Sequence, residues 1–432
     1  MNDALSVAEL HASLSDPALS SMNFLNEIVL RYPDAISFAP GRPREDDFEI
    51  AALGRYLDTY VTHLSEAAGY ARRRIITELF QYGRTNGSIH PLIAQTVAND
   101  EGIEVDPEAV VVTVGAQEGM LLVLRALFRD SDDVLLVPDP CYVGITGAAR
   151  LLDIELAPIP EDEQGVSPES VARTVAALRE RGKRARALYL VPDFSNPSGT
   201  TMPEARRQEL LAMTPGLGLY LLEDNPYGFF RSSGIPCPTI KSLDTERRVI
   251  YLGSFAKTCF PGARVGYVLA DQPVRDAAGG SGMLAGELSK IKSMTTVNTP
   301  AVSQAVIGGM LLTHDCWLHE ANAASIAHYQ NNLRALIEEL NQRFPVPERA
   351  RLGVSWNSPE GGFFVVLRVA FAADDGALEC AARDFGVLWT PTRHFHHSDR
   401  GANRLRLSCS SLRPEEVAEG VGRLAKFVWS RT

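Results

Sequence analysis

The stretches 110–114, 134–137, 187–191, 217–222, 249–252 and 265–269 are short apolar runs without polar alternation, the pattern of strands buried on both faces. Each ends in a turn of glycine, proline or small polar residues. Helix-spaced segments lie between the runs, as from 115 to 128 and in the Gly/Ala-rich stretch after Cys141-Tyr142. Strand and helix in alternation predict an α/β fold, a mostly parallel sheet with helices on both faces. Upstream, residues 1–35 carry helix-like amphipathic spacing with Asp16-Pro17 as a start signal, and 36–43 read as an extended segment closing in a Gly/Pro turn. Residues 50–80 and 91–99 are helix-spaced and flank the polar loop Tyr82-Gly83-Arg84-Thr85-Asn86-Gly87. After 275–313, rich in small residues, a long helix is predicted from 319 to 340. Residues 341–432 form a separate, smaller α+β pattern, with strands near 362–369 and 403–408 and a closing helix from Pro414.

Apolar residues make up 45% and charged residues 22% of the chain, enough to bury a sizeable core. The formal net charge of −11 argues against polyanionic partners, so neither nucleic acid nor an anionic membrane surface is predicted. The run Arg72-Arg73-Arg74 is too short to change that and reads as a solvated helix face. No apolar stretch approaches the roughly 18 residues of a membrane span. The N-terminus lacks the basic-then-apolar pattern of a secretory signal. The six cysteines are scattered without CxxC spacing, as free thiols in a reducing cytosol would be, which predicts a cytoplasmic protein.

In such sheets ligands bind beyond the carboxyl ends of the strands. Those ends carry Gly115, Tyr142, Asn196, Asp224, Tyr227 and the loop from Ser254 to Lys257 along one edge. Lys257 is a lone lysine between two apolar strands, costly unless its charge is used or neutralised. Ser254 and Arg264 flank it with a hydroxyl and a guanidinium suited to a phosphate. One reading covers all three: a phosphorylated aldehyde cofactor, held by Ser254 and Arg264 and joined to Lys257 as a Schiff base. The other is a connecting loop with a surface lysine. Gly115-Ala116-Gln117 presents amides at a helix N-terminus to an anion, or merely suits the turn. Tyr142 stacks on a planar ring or packs in the core. Asn196, in Asn196-Pro197-Ser198-Gly199, is a turn residue or a ligand; Asp224 caps, pairs with an arginine, or keeps a pyridinium nitrogen protonated. His394-Phe395-His396-His397 is too tightly spaced for three ligands of one metal, so no metal site is predicted, and the segment is a pocket border or an ordinary polar loop.

As a set, Gly115-Ala116-Gln117, Tyr142, Asn196-Pro197-Ser198-Gly199, Asp224-Asn225-Pro226-Tyr227 and Ser254-Phe255-Ala256-Lys257 with Arg264 resemble the fold-type-I pyridoxal-phosphate aminotransferases over residues 35–425. Within them the chain is most similar to the class I/II group of aromatic, kynurenine and 2-aminoadipate transaminases. The resemblance implies a seven-stranded sheet in a large cofactor domain (51–318), a small C-terminal domain (319–432) and an N-terminal arm (1–50). It implies pyridoxal 5'-phosphate as cofactor and Lys257, Asp224 and Tyr142 as the catalytic set, with Lys257 the covalent anchor and proton carrier. Asp224 would hold the pyridine nitrogen protonated, Asn196 and Tyr227 would bond the ring's phenolic oxygen, and Tyr142 would stack on the ring. The phosphate would fall to Ser254, Arg264 and the turn Gly115-Ala116-Gln117, and Tyr82 would reach the partner subunit's phosphate in a homodimer with shared sites. Arg406 matches the arginine that grips the substrate α-carboxylate, with Asn196 and Gly41 beside the substrate, while Arg404 reads as a solvated neighbour on the opposite strand face. Ala116 stands where a serine is common, Ile93 where an arginine is, and Arg42 where an apolar residue is usual.

The implied reaction moves an amino group between an amino acid, aromatic by this likeness, and a 2-oxo acid. Oxidase, lyase and decarboxylase chemistry would use the same anchors. A ligand-sensing regulator is disfavoured, because only about 35 residues precede the domain and such proteins carry a helix-turn-helix module there. Residues 22–27 and 31–43 also resemble the arylglycine transaminases of glycopeptide-antibiotic pathways, which form hydroxyphenylglycine or dihydroxyphenylglycine from the arylglyoxylate. Phe24, Phe38, Tyr82, Tyr142, Phe229 and Phe395 make an aromatic-rich edge compatible with an aryl substrate and equally with packing.

Overall fold

The computed structural model describes residues 5–16, 19, 27–231, 237–275 and 279–431. Pro17 of the predicted helix start, Phe24 and the rest of 22–26 lie outside these residues. The central sheet consists of β1 Val110–Thr113, β2 Asp133–Asp139, β3 Glu155–Asp162, β4 Gly165–Val166, β5 Arg184–Leu190, β6 Tyr220–Asp224, β7 Val249–Ser254 and β8 Gly266–Leu269. It has eight strands in the order β1-β8-β7-β6-β5-β2-β3-β4, with β7-β6-β5-β2-β3 mutually parallel. β8 runs antiparallel to both neighbours, and the two-residue β4 adds an antiparallel edge to the seven strands implied by resemblance.

Alternation along β1 shows why its run is wholly apolar. Val111 packs with Met120, Leu124 and Val268 on one face, while Val110 and Val112 pack with Ile89, Ile93 and Tyr251 on the other. β3 escapes the sequence pattern because it carries Pro158 and Pro160 and is half-buried or exposed at every position but Ile159, as a region near the sheet edge tolerates.

The second sheet has four antiparallel strands, β9 Ser355–Trp356, β10 Phe364–Arg368, β11 Thr390–Pro391 and β12 Arg404–Ser408, in the order β9-β10-β12-β11. Leu405 and Leu407 face its core with the helices Ala323–Arg343, Asp375–Phe385 and Pro414–Trp429. Ile28, Phe38 and Ala39 belong to this same core, and Ile36–Ser37 pairs in parallel with Val387–Leu388. The predicted helix 319–340 is broken at Asn322, which separates Leu318–Ala321 from Ala323–Arg343 and turns its side-chain amide back to Leu318 O. The amphipathic N-terminus is not one helix either: Ser6 and His11 cap the short 3-10 turns Val7–Glu9 and Ala12–Ser15. No described helix is long and apolar enough to cross a membrane.

Candidate active site

The carboxyl ends of β5, β6 and β7 open into a cavity of about 580 Å³. Every site residue anticipated from sequence lines it except Tyr82, which is 83% exposed. Across the cavity from the sheet stand Gly41, Thr390, Phe395 and Arg406. Its charged lining among the described residues is Arg42, Lys257, Arg264 and Arg406 against the single carboxylate Asp224. In a chain of net charge −11, a cationic cavity selects anionic ligands.

At one end lies an anion cradle. The helix Gly115–Leu127 starts without a side-chain cap, leaving the amides of its first turn to the cavity. Gly115 has φ +71°, and a Cβ there would stand 2.6 Å from Arg264 Nη2; a Cβ on Gly266 would stand 2.6 Å from Ala116 N. Only glycine lets the guanidinium and the turn approach this closely. Ser254 Oγ accepts from Ala256 N at 3.1 Å, which aims the hydroxyl at the loop carrying Lys257. Behind the turn, Val114 N donates to Glu118 Oε2 at 2.6 Å.

At the other end Asp224 is buried and receives the Tyr189 hydroxyl at 2.6 Å. Burial raises its carboxyl to about 7, so a cationic partner would be needed to keep it ionised. Sequence reasoning misses Tyr189, although a hydroxyl inside the apolar run 187–191 is a visible signal. Asn225 braces the turn after Asp224, accepting from Gly228 N at 3.0 Å and donating to Glu101 at 3.0 Å. Tyr227 sits edge-on to Phe363 and Phe364 at 5.4 Å. Tyr142 lies over Gly144, where any Cβ would collide with its ring.

Lys257 Nζ reaches Gly41 O at 2.5 Å. Burial, then Arg406 and Arg264, push its pKa down to about 8, because desolvation and like charge both disfavour the ammonium. Arg406 is buried, donating to Asn196 Oδ1 and Ala39 O at 2.6 Å each and to Thr390 Oγ1 at 3.1 Å. Its Nε is buried without a partner, and its plane lies 4.4 Å from the Phe364 ring and 5.2 Å from Phe395. Arg404 is not on the opposite strand face, as expected from sequence, but on the same face as Arg406, since residues two apart on a strand point alike and Leu405 is in the core. Position along β12 separates the two: Arg404 lies opposite Arg368 and outside the cavity.

Arg42 lines the mouth and pairs with Glu45 at 3.2 Å. The histidines have separate partners, His394 with Asp375 at 2.8 Å and His396 with Asp139 at 3.1 Å. Arg72, Arg73 and Arg74 are exposed, and Arg74 covers the Tyr70 ring.

The family model "Aminotransferase class I and II" matches residues 54–424. The chain is 49% identical to the (S)-3,5-dihydroxyphenylglycine transaminase of Amycolatopsis orientalis over 432 residues, all of this chain and 96% of that one. The multiple substrate aminotransferase of Thermococcus profundus superposes with a TM-score of 0.81 at 27% identity, covering 98% of each chain. The α-aminoadipate aminotransferase of Thermus thermophilus, complexed with N-(5'-phosphopyridoxyl)-L-leucine, does so with 0.77 at 27% identity over 99% of each. The cavity fits the cofactor of that family: an anion cradle at one end, an isolated carboxylate at the other and a deprotonatable lysine between. The chain belongs to the class I and II aminotransferases and is a pyridoxal-phosphate enzyme that moves an amino group between an amino acid and a 2-oxo acid.

Proposed function

We propose that the chain aminates an arylglyoxylate to an arylglycine, of the dihydroxyphenylglycine type, with an aromatic amino acid as donor. The near-half identity across the full length to a transaminase named for dihydroxyphenylglycine carries this reading. The aromatic walls Tyr142 and Phe395 support it by offering flat apolar surfaces to a ring.

When bound, pyridoxal phosphate supplies an aldehyde that captures amino groups and a ring that accepts electrons from substrate Cα. Ser254, Arg264 and the amides of Ala116 and Gln117 hold its phosphate, Asp224 its ring nitrogen, Asn196 and Tyr227 its phenolic oxygen, and Tyr142 its face. Lys257 with a pKa near 8 keeps a share of neutral amine near pH 7, so Nζ serves as covalent anchor and then as the base that takes the Cα proton. Arg406 meets the substrate carboxylate; its fork is already oriented by Asn196, Ala39 and Thr390, which lowers the ordering cost on binding. Gly41 lies beside the substrate and holds Nζ through its carbonyl.

The same reading takes residues 1–50 as an arm, 51–318 as the cofactor domain and 319–432 as the small domain. It takes the enzyme as a homodimer in which Tyr82 serves the partner's site. Exposed Ile76, Phe80 and Tyr82, with Met294 and Val302, supply apolar surface for such an interface. Free thiols at all six cysteines fit a reducing, cytoplasmic setting.

The test is a panel of amino donors and 2-oxo acids, including phenylglyoxylates, followed by single-turnover spectra of the bound cofactor. Conversion to the amine form by aromatic donors and return by phenylglyoxylates is expected. Acceptance of aliphatic 2-oxo acids alone would remove the arylglycine assignment.

A further inference from the structure

Asp139 lies at the end of β2, just before Tyr142, and its side chain is 5% exposed. Among the described residues its carboxylate hydrogen-bonds only to one segment, residues 396–398. Oδ1 accepts from His396 Nδ1 at 3.1 Å and His397 N at 3.0 Å, and Oδ2 accepts from Ser398 Oγ at 3.0 Å. A fourth bond joins the same segments, Cys141 N donating to Phe395 O at 2.8 Å. The His396 ring rests on Gly401, where any Cβ would collide with it. Both segments end in a cavity wall, Tyr142 on the sheet side and Phe395 on the other. Phe395 also flanks the guanidinium of Arg406.

We propose that Asp139 is a positioning residue for substrate side-chain selection: its clasp on residues 396–398 sets the separation of Tyr142 and Phe395, and so the aperture offered to a planar side group. The inference rests on the aminotransferase reading and adds to it a residue that touches neither cofactor nor substrate. A carboxylate suits the task because three donors converge on it from successive residues, and two rigid segments tied at four points move as one wall. His396 must carry its proton on Nδ1, facing Asp139. The clasp favours flat acceptors by holding the wall at fixed spacing, and a small acceptor does not sense that spacing.

The test compares kcat/KM for phenylglyoxylate and for glyoxylate in holoenzymes of the wild type, Asp139→Ala, Asp139→Asn, His396→Ala and His396→Asn. Asp139→Ala should lower kcat/KM for phenylglyoxylate about 10-fold or more, chiefly through KM, since one well-placed contact discriminates by about that factor. Glyoxylate turnover should stay within about twofold, and the absorbance of the bound cofactor should not shift. Asp139→Asn should fall between, and His396→Asn, which keeps a short N–H donor, should retain most of what His396→Ala loses. An equal fall for both acceptors marks a merely structural role and overturns the proposal, as does a ratio that moves in no variant. If Asp139→Ala fails to fold, the two His396 variants decide the question by the same ratio. If the wild type uses no aryl acceptor, the substrate assignment falls, and the ratio taken with the bulkiest acceptor it does use still decides the clasp.

Discussion

Two lysines brought inside this protein meet opposite surroundings. Lys292 is fully enclosed and satisfied: Nζ donates to Glu118 at 2.8 Å and to Thr296 at 2.9 Å, and Glu118 in turn holds Val114 N. Lys257 opens onto the cavity, donates to a backbone carbonyl and faces two guanidiniums. Burial lowers the pKa of both, but only Lys292 has a carboxylate to pull it back. The contrast separates a buried charge paired within the fold from one left without a counter-charge beside a cavity, the condition proposed above for chemistry. The two regions touch through one turn, since Glu118 secures Val114 N, just ahead of the uncapped first turn of the helix Gly115–Leu127.

The largest expected effect is at Lys257. Lys257→Ala should lower turnover by about 10⁴-fold, as loss of a nucleophile that is also the proton carrier does. It should not destabilise the cofactor-free protein, because a repelled charge is removed; near-normal turnover would overturn the role. Glu118→Ala should do the reverse, costing about 3–5 kcal/mol of stability by leaving Lys292 buried and unpaired. Denaturant titration reads this, and a loss under about 1 kcal/mol would place the pair among weak ones. Replacing both, Glu118→Leu with Lys292→Met, should restore part of that loss.

Asp224 sharpens the contrast through pH. Its folded pKa, about 7, lies above the unfolded value, so the cofactor-free protein should lose stability as pH rises from about 4 through 7. Asp224→Asn should flatten that window and, above pH 7, be more stable by about 2 kcal/mol while binding the cofactor poorly. An unchanged slope would mean that Asp224 is compensated elsewhere. The smallest effect is Arg406→Lys, which keeps charge but loses the fork; kcat/KM should fall about 10- to 100-fold, mostly through KM. Equal kcat/KM for the two would take the substrate carboxylate away from this position.

Strands buried on both faces announce themselves because an interior strand has no solvent side to mark with polar residues. The cavity edge is legible for a related reason: lysine, aspartate and arginine are conspicuous where apolar runs end. The strand β3, covered by β4 only at its last two residues, is not, since its prolines and partial exposure blur the pattern. Nor is the break at Asn322, which lies within an unbroken helical spacing and depends on a local side-chain bond. Arg404 and Arg406 show the same limit within one strand, where alternation assigns them a common face and only the packed surroundings give one to the cavity.

Residue order and spacing were enough to fix the α/β class, the strand ends and the chemical types assembled there, because these follow from local periodicity and the cost of burying charge. Tertiary structure alone decided which distant groups satisfy one another. Tyr189 on Asp224, Thr390 and Ala39 on Arg406, and residues 396–398 on Asp139 are all contacts between segments that sequence spacing cannot relate. It also decided that Lys257 would face guanidiniums rather than a carboxylate, since pKa depends on what the fold brings near and no local pattern encodes that.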